Sequence, residues 1–255
     1  EVDVAEVAIV LATYNEAANL APLVQALEQL GEDLHLLVVD DNSPDGTQRV
    51  ARELAAAFGN ITVIGRPGKL GLGSALREGL KAALATGARY VMTMDADHSH
   101  DPGDVPRLLA TMRAGEVDMV QGSRYVPGGG VRGWRWRRRV LSRAANLLYH
   151  WFAGAPHEST TNFRVFSRRA AEAVLARARG RDYEFQPEAA LLVLAAGFQV
   201  REVPIVFTDR LRGSSKLGKK QAIKALVFFV TATLQYRLRV GRFAPSLAEA
   251  RPTPG

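Results

Sequence analysis

The sequence predicts an α/β fold, a mostly parallel β-sheet with helices on both faces, and three features carry that expectation. Four apolar runs, at 7–13 (VAIVLAT), 34–40 (LHLLVVD), 61–64 and 90–95, are almost unbroken in hydrophobicity, as strands covered on both faces must be. Segments of helical period at about 17–30, 46–58 and 71–86 alternate with them, the pattern of a doubly wound sheet. The chain has 255 residues, 47% of them hydrophobic, enough to bury one substantial core.

Each predicted strand ends in a polar cluster: TYNE (13–16), DDNSPDGT (40–47), GRPGKLGLG (65–73) and DADHSH (95–100). Parallel sheets bind ligands beyond the carboxyl ends of their strands, so these clusters are the candidate site. After Gln121 the pattern loosens. A Gly/Arg/Trp-rich stretch leads into a helix at about 140–152, followed by a strand at 163–166, a helix at 186–196 and a strand at 199–207. The last periodic element covers about 217–239. The expected organisation is a ligand-binding domain over 1–215, a membrane-associating helix over 216–243 and a disordered tail over 244–255.

Asp95 and Asp97 close the fourth run one residue apart. On a strand, residues i and i+2 face the same way, so two carboxylates would converge and repel unless a cation joined them. Asp40 and Asp41 end the second run at the same edge, which strengthens the case for a divalent ion. There are no cysteines, so any metal must be held by oxygen or imidazole, which suits Mg²⁺ or Mn²⁺. His98 and His100 beside the pair read mainly as hydrogen-bonded loop residues. GKLGLG reads either as a phosphate-cradling turn or as a tight strand-to-helix connection, with Lys69 able to meet a phosphate.

With 33 Lys and Arg against 26 Asp and Glu, the net charge of +7 favours a phosphate-bearing partner: nucleotide, nucleic acid or anionic membrane. Six arginines and two tryptophans between Arg132 and Arg143 fit single-stranded nucleic acid or a membrane interface. The acidic pair at 95 and 97 decides for the membrane. No basic, apolar and cleavage-site sequence opens the chain, and the apolar run near the C-terminus is too short to span a bilayer. The expected location is cytoplasmic, peripheral on the cytoplasmic face of a membrane.

TYNE, VVDDNSPDGT (38–47), GKLGLGSA (68–75), MDADHSHDP (94–102), QGSRY (121–125), RRVLSRAAN (138–146) and DRLRGSSKLG (209–218) together resemble the inverting glycosyltransferase family that contains the polyprenol-phosphate mannose synthases. The likeness runs from about residue 7 to 229, in the family's order. It implies a glycosyltransferase-A, Rossmann-like fold, a nucleotide-sugar donor, normally GDP-mannose, and a polyprenyl or dolichyl monophosphate acceptor. A small membrane-anchoring subunit is compatible with it.

By the same resemblance Tyr14 and Glu16 would line the nucleoside and Asp40 would hold base or ribose, with Thr13, Lys69 and Ala96 beside the donor. Asp95 would contact donor sugar or ribose, Asp97 the metal, and Ser99 would complete that shell. Arg210 and Lys216 would close on the donor phosphates, and Arg124, Arg138 and Ser142 would meet the acceptor phosphate. Relatives commonly carry Ser-Gly-Phe-Arg where this chain has Thr161-Asn162-Phe163-Arg164, so a backbone that prefers glycine is replaced by Asn, which tolerates positive φ. Two alternatives accompany this reading: transfer of glucose from UDP-glucose, and a nucleic-acid-binding role for the Arg/Trp segment. A lipid monophosphate has a second pKa of about 6 and arrives largely deprotonated, so such a reaction needs no general base from the protein.

Overall fold

In the computed structural model of the chain, residues 4–209 and 219–244 are described. Strands β1 (Val7–Thr13), β2 (Leu34–Asp40), β3 (Ile61–Gly65) and β4 (Tyr90–Asp95) alternate with helices α1 (Ala17–Glu28), α2 (Thr47–Phe58) and α3 (Leu72–Ala85), close to the predicted bounds. The later elements are α4 (Val105–Arg113), β5 (Met119–Ser123), β6 (Gly130–Arg132), α5 (Trp136–Ala153), β7 (Arg164–Ser167), α6 (Arg168–Arg177), α7 (Phe185–Ala195), β8 (Val200–Pro204), β9 (Val206–Thr208) and α8 (Lys219–Arg237).

The main sheet has the order β3-β2-β1-β4-β7-β5-β8, and its pairs are parallel except that β7 runs antiparallel between β4 and β5. Alternation along the strands feeds two cores. Ala8, Val10, Leu37 and Val39 face α3, α6 and α7, whereas Val7, Ile9, Leu11, Leu36 and Val38 face α1, α2 and α4. The parallel register brings Gly65, Asp40 and Thr13 into line, with Ala12 opposite Asp95, so one edge gathers the carboxyl ends. Because β7 enters from that same edge, the segment just before it, Thr161 to Phe163, is delivered to the site as well.

The expected strand at 199–207 is two strands. β8 pairs with β5, and after a break at Ile205 β9 leaves the sheet to pair parallel with β6. The helix expected from 140 begins at Trp136, and α4, β5, β6 and α6 fall where the pattern suggested no element. α8 returns the chain to the α5 and α7 side, where Phe229 meets Tyr149 edge-on at 4.5 Å. Phe228, Phe229 and Tyr236 are partly buried against that core. Arg210 and Lys216 lie outside the described residues, as do most of the tail positions.

Gly79 of α3 lies on the sheet, where a Cβ would approach Cγ1 of the buried Val10 to 2.2 Å. Helix propensity alone favours alanine there by about 1 kcal/mol. The branched valine is rigid and walled in, so the clash should win, and Gly79→Ala should lower stability by about 1–3 kcal/mol in urea denaturation.

Candidate active site

The loop after β2 is tied down by its own acids. Asp40, fully buried, accepts hydrogen bonds from Thr13 Oγ1 (3.0 Å), Ser43 Oγ (2.5 Å) and Ser43 N–H (2.9 Å). Asp41 is ion-paired with Arg66 and accepts from the N–H groups of Leu70 (3.0 Å) and Gly71 (3.3 Å). Those amides are therefore committed to Asp41. The glycines of the turn serve packing, since a Cβ on Gly71 would lie 2.3 Å from Arg181 O and one on Gly73 2.7 Å from Gly180 O. The turn is a tight connection, and its Lys69 sits with Nζ 4.0 Å from the centroid of the Tyr14 ring, at the rim. Glu16 Oε2 accepts from Asn19 Nδ2 at 2.7 Å.

Expectation and structure differ over the acidic cluster. Asp40 and Asp41 are taken up by the loop, and among the described residues no group of three or more acidic or imidazole side chains could hold a metal. Asp95 ends β4, but Asp97 lies beyond it in the bend, so the two do not share a strand face. Asp97, nearly buried, is oriented by its turn, with Oδ1 accepting from Ser99 N–H at 3.0 Å. Ala96 between them is buried.

His98 Nε2 is 3.0 Å from the Asn19 carbonyl, to which it donates, and His100 is stacked on Phe163 at 4.8 Å. Burial lowers the pKa of His100, and its Nδ1 accepts the Asp95 N–H at 3.3 Å, so the ring is neutral. Three non-glycine residues with left-handed backbones lie along this edge: Asn15 (φ 63°), Asn42 (φ 56°) and His98 (φ 59°). Asn162 is absent from that set, so its position does not require glycine's freedom.

Ser99 supplies the test of a metal site. Its Oγ is buried and has no hydrogen-bond partner among the described residues, two residues on from Asp97. An orphaned hydroxyl beside a carboxylate, in a chain of hard oxygen donors, fits a Mg²⁺ or Mn²⁺ ion completed by a ligand's own oxygens.

On the other side of the cleft Arg124 is almost buried and bound bidentate to Glu158, Nε to Oε2 at 2.6 Å and Nη2 to Oε1 at 2.8 Å, with Thr160 Oγ1 2.7 Å from Nη2. Burial pushes the Glu158 carboxyl up, but Arg124 outweighs it and holds the group below the usual range. Arg164, fully buried, donates to the carbonyls of Gln186 (2.7 Å) and Ser159 (3.0 Å) and to Gln121 Oε1 (3.2 Å). Burial lowers its pKa to about 10, and it remains a cation. Tyr125 donates to Ser142 Oγ at 2.6 Å, and half-exposed Arg138 reaches Asp209 at 2.8 Å. The structure thus brings Arg124, Ser142 and Arg138 to one wall, with Arg124 already paired.

Trp134 corrects an expectation. It is buried, in edge contact with Phe207 (5.5 Å) and beneath Arg138 (4.1 Å) and Arg124 (5.1 Å), so it builds the arginine wall and cannot face lipid or stack on a base. The outward apolar surface of α5 is Trp136, Val140, Leu141, Leu147, Leu148, Trp151 and Phe152, and α8 continues it with Val227, Val230 and Leu234. No described helix is long and apolar enough to cross a membrane.

Acidic loops and an arginine wall at the carboxyl edge of a mostly parallel sheet define the class, an α/β protein with a candidate site at its strand ends, and comparison with known proteins supplies the family. Residues 8–175 match the model of glycosyl transferase family 2, and the chain belongs to that family. It is 40% identical over 221 residues to a polyprenol monophosphomannose synthase of Mycolicibacterium smegmatis, covering 86% of this chain and 83% of that one. It is 35% identical over 211 residues to an undecaprenyl-phosphate mannosyltransferase of Micrococcus luteus, covering 82% and 86%.

Among solved structures it resembles the glucosyl-3-phosphoglycerate synthase of Mycobacterium tuberculosis, in complex with Mn²⁺ and UDP, with a TM-score of 0.64 at 21% identity, covering 93% of this chain and 81% of that one. A mannosyltransferase of Pyrobaculum calidifontis, in complex with GDP-Man and Mn²⁺, gives 0.60 at 18%, covering 93% and 65%. The fold is glycosyltransferase-A, and the protein is a glycosyltransferase.

Sequence reasoning missed Glu158, Tyr125 and Asp209 as parts of the site. A lone acid in a polar loop facing QGSRY was the available signal for Glu158, but pairing across 34 residues needs the fold. Glu158→Gln should leave Arg124 buried without its counter-charge and cost about 3–5 kcal/mol. Because the native carboxyl is depressed, the pair's contribution is complete above the ordinary carboxylate range and lost as pH falls through the lower native value. Urea titrations across that range should show a shallower acid limb in the variant.

Proposed function

We propose that this glycosyltransferase transfers mannose, with inversion, from GDP-mannose to a polyprenyl or dolichyl monophosphate at the cytoplasmic face of a membrane. The observation that carries the reading is the arginine wall, where Arg138, paired with Asp209, and Arg124, paired with Glu158, stand between the acidic donor edge and the exposed apolar side of α5. A phosphate there would keep its lipid chain in the bilayer. The mannose-transferring relatives support the sugar, and the buried Trp134 counts against the nucleic-acid alternative.

Asp97 and Ser99, with Asp95 at their margin, would hold Mg²⁺ or Mn²⁺, which when bound offsets charge on the leaving diphosphate. Tyr14 and Lys69 would flank the nucleoside and its phosphates, with Glu16 nearby, while Thr13 and Asp40 set the loop that supports them. Arg210 and Lys216 would close over the diphosphate.

The acceptor's phosphate, already deprotonated, supplies the nucleophilic oxygen. Its bond to the anomeric carbon forms on the face opposite the diphosphate as the carbon–oxygen bond to that group breaks. The protein's work is to hold two anions together, for which Arg138 and the Tyr125–Ser142 pair would orient the acceptor. The exposed faces of α5 and α8, ringed by Arg137, Arg139, Arg143 and Arg237, would lie at headgroup level, where a small anchoring subunit could also sit.

Asp97→Asn should cut mannosyl transfer by orders of magnitude with an unchanged melting curve, and excess chelator should do the same to the unaltered protein. Full activity in either case overturns the metal role.

Co-sedimentation should show binding to anionic liposomes that exceeds binding to neutral ones and weakens with salt. Trp136→Ala with Trp151→Ala should reduce it. A water-soluble short-chain acceptor used as well as a long one, without liposome binding, would rule out the interfacial arrangement.

A further inference from the structure

Asn162 makes three hydrogen bonds, each to a different part of the site's framework, and is only 4% exposed. Its carbonyl accepts from Thr93 Oγ1 on β4 at 2.9 Å, which fixes the backbone. Its side-chain oxygen accepts from Gln186 Nε2, in the first turn of α7, at 3.1 Å. The Asp95 carboxylate settles which end of the amide is which: it only accepts, so the Asn162 nitrogen must face it and the Asn162 oxygen faces Gln186. The Asn162 nitrogen donates to Asp95 Oδ1 at 2.9 Å.

Gln186 is itself held, its carbonyl accepting from the buried Arg164 at 2.7 Å. On the far side of Asp95, Oδ2 lies 3.9 Å from His100 Nδ1, whose lone pair is already engaged by the Asp95 N–H, so that ring donates nothing to the carboxylate from this nitrogen. Asp95 stands at the end of β4 with a partly exposed side chain and two acceptor atoms. A carboxylate so placed has several rotamers, and the Asn162 donor favours the one seen here.

We infer that Asn162 is a positioning residue, oriented by Gln186, that presents the Asp95 carboxylate to the hydroxyls of the donor's sugar or ribose. The inference rests on the reading of Asp95 as a donor contact. A carboxylate pre-set for two sugar hydroxyls binds without first losing rotamer freedom, and a donor that enters a site already shaped for it binds more tightly. Asn162 acts only through Asp95, and α7 enters the donor site by this route.

The test compares Asn162→Ala, Asn162→Asp, Asp95→Ala and the Asn162→Ala/Asp95→Ala double variant, with GDP-mannose and Mn²⁺ in calorimetry, kcat and KM for transfer, and melting curves. Asn162→Ala should weaken GDP-mannose binding about tenfold, with the loss in donor KM and little in the KM for the lipid acceptor. Asn162→Asp keeps the size but removes the donor and sets oxygen against oxygen, so it should be worse than alanine. A packing role predicts the reverse order. In the Asp95→Ala background the Asn162→Ala change should cost nothing further.

Additive losses in the double variant, or aspartate binding the donor better than alanine, would overturn the inference. So would affinities that fall only in step with melting temperature. If Asp95→Ala alone binds GDP-mannose like the unaltered protein, the donor-contact reading has failed and the inference falls with it. That outcome is distinguished from a failure confined to Asn162 by the single variant.

Discussion

A site of the proposed kind, bringing two phosphate-bearing substrates together, would need positive charge in place before either arrives, and that charge must not be neutralised by collapse. Here the requirement is met by Glu158, fully buried and bound bidentate by Arg124, with the buried cation of Arg164 also acting on it. Glu158 thus answers two guanidiniums, bonded to Arg124 and acting through space on Arg164. Removing charges from water is expensive, and full hydrogen bonding recovers that cost only in part. Arg164 is satisfied by the carbonyls of Ser159 and Gln186 and by Gln121, so the loop before β7, the start of α7 and β5 are all arranged around it.

The antiparallel insertion of β7 follows from the same need. A fully parallel sheet would gather only strand ends at the carboxyl edge. Reversing one strand brings the start of β7 there, with Glu158, Thr160 and Asn162 ahead of it, so the Asp95 side and the arginine wall are joined through one short segment. The second, two-stranded sheet does similar work further out. β9 leaves the main sheet after Ile205 and carries Phe207 under Trp134, and the next residue but one, Asp209, meets Arg138.

The first half of the fold was legible because strands buried on both faces have to be largely apolar, and β1, β2 and β4 are, up to the polar residues that end them. The second half was not. β5 carries Gln121, Gly122 and Ser123 in a buried strand, where Gln121 finds its partners in Arg164 and the Glu158 carbonyl, far along the chain, and β7 is four residues long. The acids at 95 and 97 were legible as a candidate site, although the shared strand face expected of them fails because the strand stops at Asp95. The roles of Asp40 and Asp41 as loop anchors depend on Thr13, Ser43 and Arg66 arriving from elsewhere. Nor does a tryptophan's identity reveal which way it faces: Trp134 and Trp136 differ by one being packed under two arginines and the other left outside. The family resemblance reached the family and fold, and named candidate residues, where periodicity could not.

Asn15, Asn42 and His98, held in left-handed backbone conformations after β1, β2 and β4, have a bearing on how this enzyme could be altered. Each is a small reservoir of unfavourable energy, about 1 kcal/mol or more, at the rim where the donor would enter. A search for thermostable variants would be drawn to these positions, since glycine relaxes such a backbone at once. The same relaxation would free the loops whose shape the site depends on, so heat resistance gained there would be taken from turnover, and durable variants are better sought on the far side of the sheet.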